Sequence, residues 1–126
     1  MKRAILLAVM VCLVAACKKN TQQSSESIVG KWKRSAWLTD PGDGSGRWNP
    51  ADPSNPGYQQ FNVGGTVSFS PPGIYDADHY RLPNDNTIIF LRGSENFQME
   101  YHISGTLLTL TGGCIEPCGT KYIKAE

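Results

Sequence analysis

Residues 97–103 read Phe-Gln-Met-Glu-Tyr-His-Ile. Phe97, Met99, Tyr101 and Ile103 share one parity; Gln98, Glu100 and His102 share the other. A period of two puts the apolar side chains on one face of an extended chain and the polar ones on the opposite face. That is the pattern of a half-buried antiparallel strand. The same reading, carried outward, predicts strands at 28–38, 58–63, 66–70, 79–82, 87–91, 97–103, 106–111 and 119–124. The connectors agree. Gly64-Gly65 and Ser104-Gly105 are two-residue hairpin turns with glycine available for positive φ. Residues 83–86 and 92–96 are longer polar turns. No stretch of helical length shows an amphipathic stripe.

Eight short strands in succession predict an all-β fold, a small up-and-down antiparallel barrel whose closure removes its exposed edges. A flattened two-sheet sandwich fits the same pattern. The inward parity collects Trp32, Ala36, Leu38, Phe61, Val63, Leu82, Phe90 and Tyr122 among others. So many large residues on short strands predict a filled interior rather than a deep calyx, with room left for a shallow pocket at one open end. Arg34 has the inward parity too, which implies either a bulge near it or a guanidinium reaching an open barrel end. Trp37 has the outward parity.

The ends of the chain set its expected location. Met1-Lys2-Arg3 is a basic start, and residues 4–14 are an unbroken apolar stretch. That stretch is much shorter than the ~20 residues a membrane span needs, so residues 1–16 are expected to be a signal peptide. Leu13-Val14-Ala15-Ala16-Cys17 resembles a bacterial lipobox. The resemblance implies acylation of Cys17 and cleavage before it. By resemblance to the sorting rule for such proteins, Lys18 implies the outer membrane, on its periplasmic or its external face. Residues 17–27 are then the acylated cysteine and a polar tether, and residues 28–126 the barrel domain. The processed chain carries ten basic and eleven acidic residues and no basic run, which argues against nucleic acid as a partner.

Gly30-Lys31-Trp32 resembles the G-x-W signature of lipocalins. Further pieces are Asp40 to Trp48, Phe61, Gly65-Thr66, Leu108-Thr109-Leu110 and Cys114-x-Glu116-x-Cys118 with Lys121-Tyr122. In that order they resemble the small lipocalin-like lipoproteins of Bacteroidota-type bacteria. The chain departs from larger lipocalins in lacking a T-D-Y motif and an arginine in the last strand to cover the tryptophan. Lys121 or Lys124 could take that place.

Candidate chemistry is sparse. The Asp-rich loop at 40–46 fails the calcium-loop pattern, because Gly42, Gly44 and Ala51 stand where oxygen ligands belong. Asp76, Asp78, His79 and His102 are metal-competent types, but they fall in a turn and on an outward face. No nucleophile elbow or phosphate loop is present. The chain is therefore expected to be non-enzymatic, with no catalytic residue, metal or cofactor. Cys114 and Cys118 remain once Cys12 is cleaved away and Cys17 is acylated. Zinc would need two more ligands, and a redox pair would need C-x-x-C at a helix N-terminus. A disulfide between Cys114 and Cys118 is expected, in keeping with an oxidising compartment.

The long 39–57 connection, read as a loop, carries Trp48, either a lid over the barrel end or a contact for a partner. Trp37, Trp48 and Tyr75 form the candidate binding surface. Three functional readings follow. One is an envelope lipoprotein, monomeric and membrane-anchored by lipid, that presents loops to a protein, a glycan or a small hydrophobic ligand. Another is a lysozyme-type inhibitor, since Cys118-Gly119-Thr120-Lys121-Tyr122 faintly resembles the inhibitory loop of such proteins. The last is a carrier of a small hydrophobic ligand.

Overall fold

The structure, a computed structural model, describes residues 27–72, 76–115 and 117–125. Among them are nine strands and no helix. They are β1 (Gly30–Thr39), β2 (Arg47–Pro50), β3 (Tyr58–Phe61), β4 (Val67–Ser70), β5 (His79–Asn84), β6 (Thr87–Arg92), β7 (Glu95–Ser104), β8 (Leu107–Thr111) and β9 (Gly119–Lys124). Eight of them follow the expected strands closely.

Every pairing is antiparallel, in the order β4-β3-β1-β9-β8-β7-β6-β5. The ends of this sheet meet. Thr66 bridges to His79, the Val67 N–H donates to the Asp78 carbonyl at 3.0 Å, and the Tyr80 N–H donates to the Gly65 carbonyl at 2.8 Å. The fold is thus a nearly closed barrel, compatible with a calycin-like architecture, and not a flattened sandwich. The β4–β5 seam is its shortest pairing.

The ninth strand, β2, corrects the reading of 39–57 as a loop. It pairs with the far half of β1, Trp48 opposite Leu38, while β3 pairs with the near half. Asp40 organises the turn between β1 and β2. Its carboxylate accepts from the Gly42, Gly44 and Gly46 N–H groups at 2.8, 3.3 and 3.0 Å.

The interior is packed with large side chains. Trp32, Phe61, Ile88, Phe90 and Leu108 are essentially inaccessible. Phe90 stacks on Phe97 at 5.2 Å between centroids, and Phe61 meets Tyr80 edge-on at 5.0 Å. Ile28, ahead of β1, plugs one end: its carbonyl accepts from Trp32 Nε1 at 2.7 Å. The Lys124 ammonium sits 4.4 Å from the Trp32 ring centroid and donates to the Val29 carbonyl at 2.6 Å. Of the two lysines expected to cover the tryptophan, Lys124 is the one that does so.

Outside β1, two inward assignments fail. Val63 is exposed because it lies in the turn after β3, outside the alternation. Leu82 is exposed because the β5–β6 register shifts between Arg81 and Asn84.

Candidate functional site

The open end of the barrel is shaped by one extra residue. Arg34 stands opposite Tyr122, but Ala36 stands opposite Lys121, so Ser35 is a bulge in β1. Tyr122 is buried inside the barrel, which places Arg34 on the inner face. Both sequence expectations for Arg34 hold together: the bulge exists, and the guanidinium reaches the open end. Beyond the bulge the alternation reverses. Trp37 falls opposite Thr120, on the inner parity at the rim, and not outward as expected. Ala36 and Leu38 move to the outer face, which corrects their inward assignment.

Trp48 lies on that outer face as well, opposite Leu38. Its ring packs over Gly119, where an added Cβ would stand 3.0 Å from Cη2, and the Lys121 ammonium is 4.2 Å from its centroid. Trp48 is thus a clasp on the outer wall and not a lid. Trp37 and Trp48 sit on opposite faces of the same wall, so they do not combine into one patch. Tyr75, like Cys17, lies outside the described residues.

Inside the open end is a polar group that the sequence reading did not single out. The Arg34 guanidinium rests against Gly57, where a Cβ would be 3.4 Å from its Cζ and Nη2. Arg34 and Thr120 lie beside the Tyr122 hydroxyl and favour its ionised form. Burial raises the pKa of that phenol above its ordinary value, and the contacts with Arg34 and Thr120 offset this in part. Further along the inner face, on β3, is Gln59. It is 1% exposed, between Trp32 and Phe69 in the register, and neither its Nε2 nor its Oε1 has a hydrogen-bond partner. Leaving a buried amide unsatisfied costs roughly 1–3 kcal/mol. Its signal was present in the sequence, since Gln59 shares the parity of Phe61.

The rim on the other side is the β8–β9 connection. Cys114 and Cys118 form a disulfide with Cα atoms 6.0 Å apart. In the chain-entropy model, closing so short a loop contributes about 2 kcal/mol. Gly112 and Gly113 adopt φ of 91° and 81°, and the Gly112 N–H donates to the Cys118 carbonyl at 3.1 Å. A Cβ on Gly113 would press to 3.3 Å from Met99 Cγ, so glycine lets the loop lie on β7. Ile115, between the cysteines, is fully exposed. An apolar recess of about 410 Å³ opens beside this loop, between Phe97, Met99, Gly112 and Gly113.

The metal-competent residues stay scattered. His79 is in the β4–β5 seam and His102 stands opposite Thr109 on β8. Among the described residues, no three of His, Cys, Asp and Glu come together. The segment resembling an inhibitory loop is strand β9, with Tyr122 inside and Lys121 on Trp48. No protein-family model matches the chain, and no curated protein or solved structure matches it either.

Proposed function

We propose that the chain is a non-enzymatic lipoprotein of the cell envelope, whose lipocalin-like barrel is a binding module that contacts its partner through the loops at its open end. One observation carries the reading. Ile115 is a fully exposed aliphatic residue at the tip of a loop stiffened by a disulfide and two positive-φ glycines. A pre-stiffened loop gives up little conformational entropy when a partner covers it, so it is suited to presenting an anchor. The opposite end is plugged by Ile28. The envelope placement is supported by the basic, apolar and small-residue zones leading to Cys17 and by the disulfide. Carriage of a bulky apolar ligand has less support, because Phe61, Ile88, Phe90 and Leu108 fill the interior.

Photo-crosslinking in intact cells tests the contact. A photoreactive residue at position 115 is expected to give a discrete adduct, and one at Ile123, exposed on the outer wall near the plugged end, is expected to give none. The adduct should weaken when Cys114→Ser opens the loop. Equal labelling at both positions, or none at 115, rejects the reading.

For the anchor, Cys17→Ser should move the protein from the membrane to the soluble fraction. Persistent membrane association would count against lipidation.

A further inference from the structure

We propose that the basic and apolar shoulder at the barrel's plugged end rests on an anionic phospholipid surface, through Lys31, Lys33, Val63, Leu107 and Ile123. The proposal rests on the lipid anchor put forward above and adds the side of the barrel that meets the membrane.

Strand pairing assembles the shoulder. Trp32 and Tyr122 point inward, so Lys31, Lys33 and Ile123 point outward. Tyr58, Lys33, Ile123 and Leu107 then stand in one row across β3, β1, β9 and β8. Phe61 pairs with Gly30 at the plugged end, which puts the following turn, with Val63 in it, on the same side of the barrel. Val63 is 89% exposed, Ile123 49% and Leu107 37%. Aliphatic side chains gathered in water at one corner mark a contact surface.

The charges choose the partner. Strands β1, β3, β8 and β9 contain no Asp or Glu. Among the described residues neither Lys31 nor Lys33 is in an ion pair, and Lys31 lies over the Tyr58 ring at 4.4 Å. The acids of the nearby connections do not offset them. Asp52 accepts from the Ser54 N–H and hydroxyl at 2.9 and 2.7 Å. Asp78 is at the β4–β5 seam, and Asp85 is in the β5–β6 turn across the barrel. An uncompensated positive corner set among aliphatic groups fits a surface with phosphate charge outside and hydrocarbon beneath. Lysine stems can lie along that boundary with their ammonium groups among the phosphates, and tyrosine suits the same level.

The attachment works in the same sense. The chain enters β1 at this pole, and the ten residues from Lys18 to Ser27 reach at most about 35 Å from Cys17. Lys18 and Lys19, directly after that cysteine, are basic as well. A few lysines hold a bilayer weakly by themselves, but a tethered barrel meets it at high effective concentration. The contact turns the opposite pole, with Ile115, away from the bilayer.

The test is photo-labelling of the full-length protein, purified from membranes and mixed with vesicles. A photoreactive residue replaces Ile123 or, across the barrel, Arg81, which is exposed on the outer face of β5. Lipid adducts are counted by mass spectrometry. In vesicles of equal parts phosphatidylglycerol and phosphatidylcholine, position 123 should take up roughly fivefold or more lipid than position 81. The excess should collapse in phosphatidylcholine alone and in about 1 M salt, where screening is nearly complete. It should also collapse in the Lys31→Gln, Lys33→Gln double variant, whose Tm close to the parent's shows that it is folded. Lipid adds little mass, so this labelling agrees with the absence of a protein adduct at 123. Equal labelling at 123 and 81 in the anionic vesicles overturns the proposal. So does an excess that persists undiminished without phosphatidylglycerol, or a protein adduct at 123 in cells, from a second copy or from another protein. Absence of acyl mass on Cys17 overturns the anchor instead, and the preference for 123 over 81 is read on that preparation all the same.

Discussion

Trp32→Ala should cost about 3–5 kcal/mol of folding stability, a large part of the total for a domain of this size. The tryptophan is 1% exposed and is the largest fully buried side chain. The loss goes beyond area. Its indole N–H fixes the Ile28 carbonyl, so the plug at the closed end is tied to it. Its ring seats Lys124, whose ammonium then secures Val29. Alanine leaves a cavity, a buried carbonyl without its donor, and a lysine without its aromatic face. Trp32→Phe keeps most of the packing and loses the N–H, so it should cost less, about 1–3 kcal/mol. Urea unfolding of both variants measures this. A Trp32→Ala protein within 1 kcal/mol of the parent would refute the role given to the plug.

Gly30→Ala should be the second most damaging of these changes, at about 3 kcal/mol. Gly30 has φ of 130°, a region that side chains avoid, and strain of that kind costs of order 1–3 kcal/mol. In addition, the new Cβ would stand 2.8 Å from Lys124 Nζ and 3.0 Å from its Cε. The lysine would have to leave Val29 or the Trp32 ring. The two parts are separable. In a Lys124→Ala background Gly30→Ala should lose its steric part and retain its backbone part, so the double-mutant cycle should show coupling. Strict additivity would mean that Lys124 is not what the glycine makes room for. On this account the spacing Gly30-x-Trp32 is physical: the glycine clears the path by which a residue of the last strand reaches the tryptophan.

The strand frame was legible because a half-buried strand writes its two faces into alternate residues, as Phe97 to Ile103 do. Glycine in the two-residue turns marked the hairpins for an equally local reason. What was not legible depends on partners far away in the chain. Strand β2, Arg-Trp-Asn-Pro, has no alternation and ends in proline. It is extended because it pairs with β1 and because Trp48 is gripped between Gly119 and Lys121. Arg34 signalled a bulge as a charged residue standing on the inward parity. Locating the extra residue at Ser35 needed the register of β9, and only then does Trp37 change sides. Gln59 was visible as a polar residue on an apolar parity, yet its meaning depends on the absence of a partner, which no sequence pattern displays. The disulfide was legible because few alternatives were left to its cysteines.

The arrangement at the plugged end has a mechanical side. The chain enters β1 from Ser27, at the pole opposite the Cys114–Cys118 loop, and β1 is paired along its length on both sides, with β3 and β2 on one and β9 on the other. Ladder hydrogen bonds run across a strand. Tension applied along the chain at Ser27, against a load held at the far rim, therefore pulls β1 parallel to itself. All of its bonds are sheared together and none can be peeled open first. The short β4–β5 seam lies away from that line of force. A barrel hung by this end resists in its strongest direction, with its weakest join out of the load path.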